Sequence, residues 1–340
     1  MKVQSRITIA NNDIYNTNNP HRRRNRPDGK RNNRSPRLNH QPAPNPRPHP
    51  LLTRSPSSPK SQALLKLFTD RQSSVSSSTI TPTSSPITLI QGTPENPTPI
   101  FASHPDISAL YLVTVPPGDE AQAIPLIDAA IAHKIPHIVF SSVDRGGDER
   151  SWTNPTPVPH FAAKHRVEVY LRDKTRGTQT RWTILRPAGF MDNYRAEAGV
   201  MGSVMGGLWA TMPAGGRKMQ LVSARDIGLF AARALIEGPG TEEEGGGWGG
   251  RALGLAGDEI GFDEAEEVFE RVVGQRMPRT WGVVGRGVRW AFEDAGRSME
   301  WFEEEGYKAD VAMLRGMEPR LQTWETWLRE SSGWVKDDEE

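Results

Sequence analysis

No cysteine occurs anywhere in the chain, which excludes disulfides, thiolate nucleophiles and Cys-ligated zinc. No apolar run approaches the roughly 18 residues a membrane helix needs, and the N-terminus lacks the apolar segment of a secretory signal. The expectation is therefore a soluble protein with no membrane contact, cytoplasmic, with a nuclear alternative that rests on Arg22-Arg23-Arg24-Asn25-Arg26, for which a solvated basic tail is the plainer reading. Glycine is scarce where phosphate-binding loops usually sit: before Gly118 there are only Gly29 and Gly92. The histidines are scattered, and His133 and His137 are split by Pro136, so no helical metal pair forms and no metal is expected. G-x-S-x-G, H-E-x-x-H and P-loop motifs are all missing.

Charge is nearly balanced, at +1, but unevenly spread. The first fifty residues hold eleven Lys/Arg against Asp13 and Asp28, so the rest of the chain carries about −8. An acidic body argues against direct nucleic-acid binding. Apolar residues make up only 36% of the chain, which places part of it outside a packed core. Residues 1–49, with ten Asn and seven Pro, read as a disordered basic tail in which Ser5 to Ala10 is a plausible short strand. Residues 73–86 and the Gly/Glu-rich stretch 238–250 read as surface loops. The body then divides into 50–237 and a mainly helical region, 251–330, expected to form a small cap around Trp301, Trp324 and Trp327, with Trp281 and Trp290.

Within the body, strand and helix alternate. Strands are expected at 50–54, 87–91, 110–115, 137–142, 181–186 and 219–222. Helices are expected at 59–68, 119–133, 160–172 and 226–236, the second with Ala123, Ile124, Ile127, Ala130 and Ile131 at helical spacing. Leu110 to Val115 is a continuous apolar run, as suits a strand covered on both faces. The alternation predicts an α/β fold, a doubly wound parallel sheet with helices on both sides.

Six segments in order resemble the NmrA-like family of atypical short-chain dehydrogenase/reductases. They are Leu52 to Lys60 (LTRSPSSPK), Leu110 to Thr114 (LYLVT), Val139 to Asp144 (VFSSVD), Pro159 to Lys164 (PHFAAK), Ile184 to Asn193 (ILRPAGFMDN) and Val222 to Gly228 (VSARDIG). The resemblance spans about 50–328 and implies a Rossmann-type NAD(P)-binding domain. One departure is large. That fold grips pyrophosphate with a first strand, a glycine-rich turn and a helix N-terminus, and no such motif exists here. Losing a mid-sheet strand would also expose two ladders of unpaired backbone groups. Either Arg6 to Ala10 threads into the gap with 11–49 looping out, or the true polypeptide begins differently, through a mispredicted exon. The second is favoured, because a structureless loop of about forty residues inside a compact domain is improbable.

The resemblance implies the following site. Arg54 reads the adenosine ribose and clamps a 2′-phosphate, which favours NADP, with NAD as the other candidate; Ser58 lies in the loop beyond. Thr114 and Val115 end a strand at the carboxyl edge, where ligands of open sheets bind. Ser141 and Ser142 hold the nicotinamide or a substrate oxygen. His160 and Lys164, spaced i, i+4, project from one helix face, with the lysine on the nicotinamide ribose and the imidazole as proton donor in place of the usual tyrosine. Pro187, Ala188, Gly189, Phe190 and Met191 line the nicotinamide pocket, and Asn193 orients the substrate. For each there is a plain structural alternative: a surface arginine, a turn serine, a helix-terminal histidine. The expected function is an NADP-dependent oxidoreductase acting on a small carbonyl, enone or quinone-like molecule. The alternatives are a non-catalytic NAD(P)-sensing regulator that docks on a protein such as a transcription factor, or a chain inactive for want of the glycine-rich loop.

Overall fold

The structure, a computed structural model, describes residues 7–10, 49–66, 87–212, 218–240, 247–280 and 293–335. Its main layer is a seven-stranded sheet in the order β3-β2-β1-β4-β5-β6-β9. The strands are β1 (Ile7–Ala10), β2 (His49–Thr53), β3 (Ile87–Gln91), β4 (Ala109–Val113), β5 (His137–Ser141), β6 (Arg181–Pro187) and β9 (Arg251–Leu255). All pair in parallel except β1. A second sheet, β10-β8-β7, joins Gly189–Phe190 (β7), Met219–Val222 (β8) and Asp258–Ile260 (β10).

Strand alternation builds two cores. Leu110, Leu112, Ile138, Phe140 and Ile184 face one side. There they pack on α3 (Asp119–Ala132) and α4 (Pro159–Thr175) through Ala123, Leu126, Ile127, Val167 and Leu171. Ala109, Val139 and Leu185 face the other side, covered by Ile227, Phe230, Ala231 and Ala234 of α6 (Ala224–Glu237). Residues one apart on a strand point to opposite faces, so central strands of a covered sheet must be apolar throughout. The side chain of Ser223 caps α6 by accepting from Asp226 N at 3.1 Å. The short helices α1 (residues 59–66) and α2 (Thr98–Ser103) flank the β2–β3 edge.

The gap left by the missing first strand is filled by Ile7–Ala10, the repair that loop length argued against. It enters backwards. Ile7 pairs with Leu112 and Ala10 with Ala109, antiparallel, and Ile7 also pairs with Leu52 of β2. The ladders of β2 and β4 are thereby satisfied, but the end of β1 lies at the amino edge of β4. No turn from it can reach the carboxyl edge. The rest of the expected tail, 73–86, Trp281 and Trp290 lie outside the described residues.

The C-terminal region contains more strand than expected. β9 lies in the stretch anticipated as cap yet forms the edge of the main sheet, beside β6. The cap itself comprises α5 (Gly199–Trp209), α7 (Phe262–Val273), α8 (Glu293–Glu304), α9 (Val311–Met317) and α10 (Trp324–Glu330). Trp209, Trp324 and Trp327 are fully buried in its core with Met191, Leu221 and Phe269. Trp301 packs on Phe161 in a separate small cluster. Among the described residues no helix is long and apolar enough to cross a membrane.

Candidate active site

A cavity of about 440 Å3 opens at the carboxyl edge of β4, β5 and β6, between the main sheet and the cap. Its sheet-side wall is Ser142, His160, Lys164 and Pro187 to Phe190, with Asn193 beyond. Eight predicted residues therefore converge on one chamber. Gly189 packs closely on β8: a Cβ there would stand 3.2 Å from Leu221 and 3.3 Å from the Gln220 carbonyl. Two predicted members turn away. Ser141 is on the opposite strand face, beside the partly buried Tyr111, so the serine at the cavity is Ser142. Met191 is wholly buried in the cap core.

Lys164 is buried and its ammonium is held at the end of β4. Nζ donates to Thr114 Oγ1 at 2.8 Å and to the Thr114 carbonyl at 3.3 Å, and lies 3.2 Å from Asp119 Oδ1. Thr114 Oγ1 in turn donates to Asp119. Burial pushes the Lys164 pKa down, and the Asp119 carboxylate opposes that shift. Thr114 thus contacts Lys164 but is not part of the cavity wall. His160 is half-buried in the first turn of α4, edge-on to Phe161 with ring centroids 4.6 Å apart.

A buried ion cluster that sequence reasoning missed fixes this helix. Glu168, one turn beyond Lys164, accepts from Arg145 at 3.0 and 2.8 Å and from Arg186 Nη2 at 2.8 Å; all three side chains are fully buried. Arg145 also donates to the carbonyls of Val143, Ser151 and Asn154, clamping the loop that follows Ser142. Arg186 stacks over Trp152 at 4.6 Å and donates to the Asp148 carbonyl. Arg186 sits inside the Leu-Arg-Pro segment of the resemblance, but its partners are 18 and 38 residues away. Spacing carries no trace of them.

The far end of the carboxyl edge is built differently. Arg54 follows β2 as expected, yet its guanidinium pairs with Glu95 at 3.2 Å. The Ser58 hydroxyl accepts from Ser61 N and donates to Ser61 Oγ, so it caps α1. Val115 has both backbone groups engaged by Gln122.

A nicotinamide dinucleotide therefore meets two unequal halves. The nicotinamide half fits: a mainly apolar chamber, Lys164 at its edge, and polar groups from Ser142 and Asn193. A ribose hydroxyl would take over one of the two longer Lys164 contacts, at 3.2 or 3.3 Å. The pyrophosphate half has no cradle from β1, whose direction is reversed, and the expected 2′-phosphate clamp already holds an acid.

A doubly wound sheet whose lysine-bearing helix borders a carboxyl-edge cavity defines a Rossmann-type α/β protein. The NmrA-like family model matches residues 84–285, more than half of the sequence, and the chain belongs to that family. The match begins after β2, so it leaves the reversed strand outside. Among solved structures, the NADPH-dependent quinone oxidoreductase QOR2 of Escherichia coli, in complex with NADPH, aligns at 18% identity and TM-score 0.56, covering 82% of this chain and 88% of that one. NmrA, a negative transcriptional regulator, in complex with NADP, aligns at 18% identity and TM-score 0.53, over 83% and 86%. A nucleoside-diphosphate-sugar epimerase of Staphylococcus aureus aligns at 14% identity and TM-score 0.51, over 72% and 84%. At these identities the likeness is one of fold. A search of curated protein sequences gives no match.

Proposed function

We propose that the chain is an NmrA-like oxidoreductase that uses NADP in its reduced form, NADPH, to reduce a small, apolar carbonyl, enone or quinone-like molecule. The observation that carries the reading is the convergence of Lys164, His160, Ser142 and the 187–190 segment on one cavity at the carboxyl edge. The cofactor, when bound, supplies hydride from its nicotinamide. Lys164, fixed by Thr114 and Asp119, orients a ribose hydroxyl. Ser142 holds the acceptor oxygen, and the half-buried His160 supplies the proton. Asn193 orients the substrate, and Phe190 with the cap side chains Met205 and Leu208 gives it an apolar wall. Binding rests on the nicotinamide half, since the pyrophosphate loop is missing.

The reversed β1 favours a second reading, in which the cavity persists but the cofactor is not retained. One titration separates the two. NADPH is added to pure protein while nicotinamide fluorescence is followed, and carbonyl and quinone acceptors are then screened for loss of NADPH. Binding with turnover is the expected result. Binding without turnover across the panel would point to a sensor, and no binding to the second reading.

A further inference from the structure

The cavity contains two phenols that the lysine-centred chemistry leaves unused. Tyr194 follows β7, and Tyr307 lies between α8 and α9, more than a hundred residues later. Both line the chamber. The Tyr194 ring is wedged between Trp209 at 5.3 Å and Trp324 at 5.5 Å. The Tyr307 ring packs on Phe302 at 5.1 Å and Trp301 at 5.3 Å. The Tyr307 backbone is fixed from both sides of the fold: Lys308 N donates to Asp144 at 2.6 Å and Ala309 N to Gln220 at 2.8 Å. Asp144 is itself held by Gly147 N at 2.9 Å. Gly306, at φ +67°, makes the turn that presents the ring.

Among the described residues neither hydroxyl meets a hydrogen-bond partner. Around them the wall is apolar, formed by Met205, Leu208, Trp209, Met299 and Phe302. Neither O–H is spent on a protein acceptor, so each is available to a ligand that brings one. We propose that Tyr194 and Tyr307 are a paired donor site for a neutral, planar aromatic ligand bearing oxygen acceptors, and that this pair sets the specificity of the cavity. Burial raises the pKa of both phenols above the ordinary value, so both stay protonated and donate throughout the usual pH range. The same chamber disfavours carboxylates and phosphates, because two phenols and one already paired lysine cannot replace the water such anions lose.

The inference deepens the oxidoreductase reading but is testable without cofactor. Naphthoquinone and naphthalene, alike in shape, are titrated into the full chain while tryptophan fluorescence is followed; Trp209 lines the cavity and Trp324 touches Tyr194. Two neutral hydrogen bonds predict that naphthoquinone binds about tenfold or more tightly than naphthalene. Tyr194→Phe and Tyr307→Phe should each weaken naphthoquinone about three- to tenfold and leave naphthalene unchanged. Each variant removes one oxygen from an intact ring, and an unchanged thermal midpoint certifies the fold. Equal affinity for the two probes, or equal loss of both in the variants, overturns the proposal. If NADPH fails to bind while the probe discrimination persists, the oxidoreductase reading falls and the phenol pair stands.

Discussion

Replacing Glu168 tests whether the buried ion cluster is what holds the lysine helix in place. In the wild type, one carboxylate neutralises part of the charge of two guanidiniums, and none of the three side chains is exposed. Glu168→Gln keeps the volume but leaves Arg145 and Arg186 without a counter-ion. Removing one partner from a buried pair costs about 3–5 kcal/mol. Here two cations are stranded, although Arg145 retains its carbonyl acceptors and Arg186 its stack on Trp152. These keep the expected loss within that range, or about a hundred- to several-thousandfold in the folding constant. Urea unfolding should show it as a midpoint lowered by about 1 M or more, at a slope near 3 kcal/mol/M. The pH dependence gives a second signature. Burial alone would raise the Glu168 pKa, but Arg145 and Arg186 outweigh it and hold the carboxyl below its ordinary value. Its contribution is therefore complete above the unfolded pKa, near 4.5, and fades as pH falls through the folded value. The variant should lack that acid-limb loss. A stability change under about 1 kcal/mol would show that the cluster is energetically idle and refute the reasoning.

Further outcomes follow from other sites. Lys164→Met paired with Asp119→Asn removes both buried charges together; it should fold with stability within about 1 kcal/mol of wild type and bind NADPH about tenfold or more weakly, and unchanged affinity by fluorescence titration would remove Lys164 from the cofactor site. Glu95→Gln releases Arg54 from an exposed pair, so NADPH affinity should rise about three- to tenfold with NADH unaffected; parallel gains for both cofactors would contradict a 2′-phosphate role. His137 is wholly buried, donates through Nε2 to Thr183 Oγ1, and has an unpartnered Nδ1 among the described residues; burial lowers its pKa to about 4. The unfolded chain binds the extra proton between that value and 6.5, so stability is lost as pH falls across this window, by about 2 kcal/mol between roughly pH 7 and pH 5. His137→Leu should flatten that stretch of the curve, and parallel wild-type and variant curves would exclude His137 as its source.

Periodicity made the sheet legible. The apolar run at 110–113 and the alternation of Ile138, Val139 and Phe140 announce strands covered on both faces, and the helix spacing of 119–132 marks one cover. The cavity wall from Ser142 to Phe190 was legible as well, because each residue stands at a strand end or on one helix face. Parity caused one error: a strand end exposes alternate residues, and Ser141 falls on the wrong side. α5 went unread because Gly199, Gly202, Gly206 and Gly207 carry little helix propensity; close packing on Pro278 and Thr280 explains two of them. Pairings at long separation (Glu95 with Arg54, Glu168 with Arg186, Tyr307 with the cavity) leave no local mark. Strand direction is equally silent, since three β-branched residues and an alanine suit either orientation.

That direction has a consequence for the chain between β1 and β2. Antiparallel neighbours need no crossover, whereas a parallel first strand demands a dozen or more residues, usually helical, to return across the sheet. Ala10 ends and His49 begins at one edge, so β1 and β2 are the arms of a hairpin whose connection is the 38 residues 11–48. Closing so long a loop rather than a two-residue turn costs only about 2–3 kcal/mol in chain entropy. The connection starts and finishes on the side remote from the cavity.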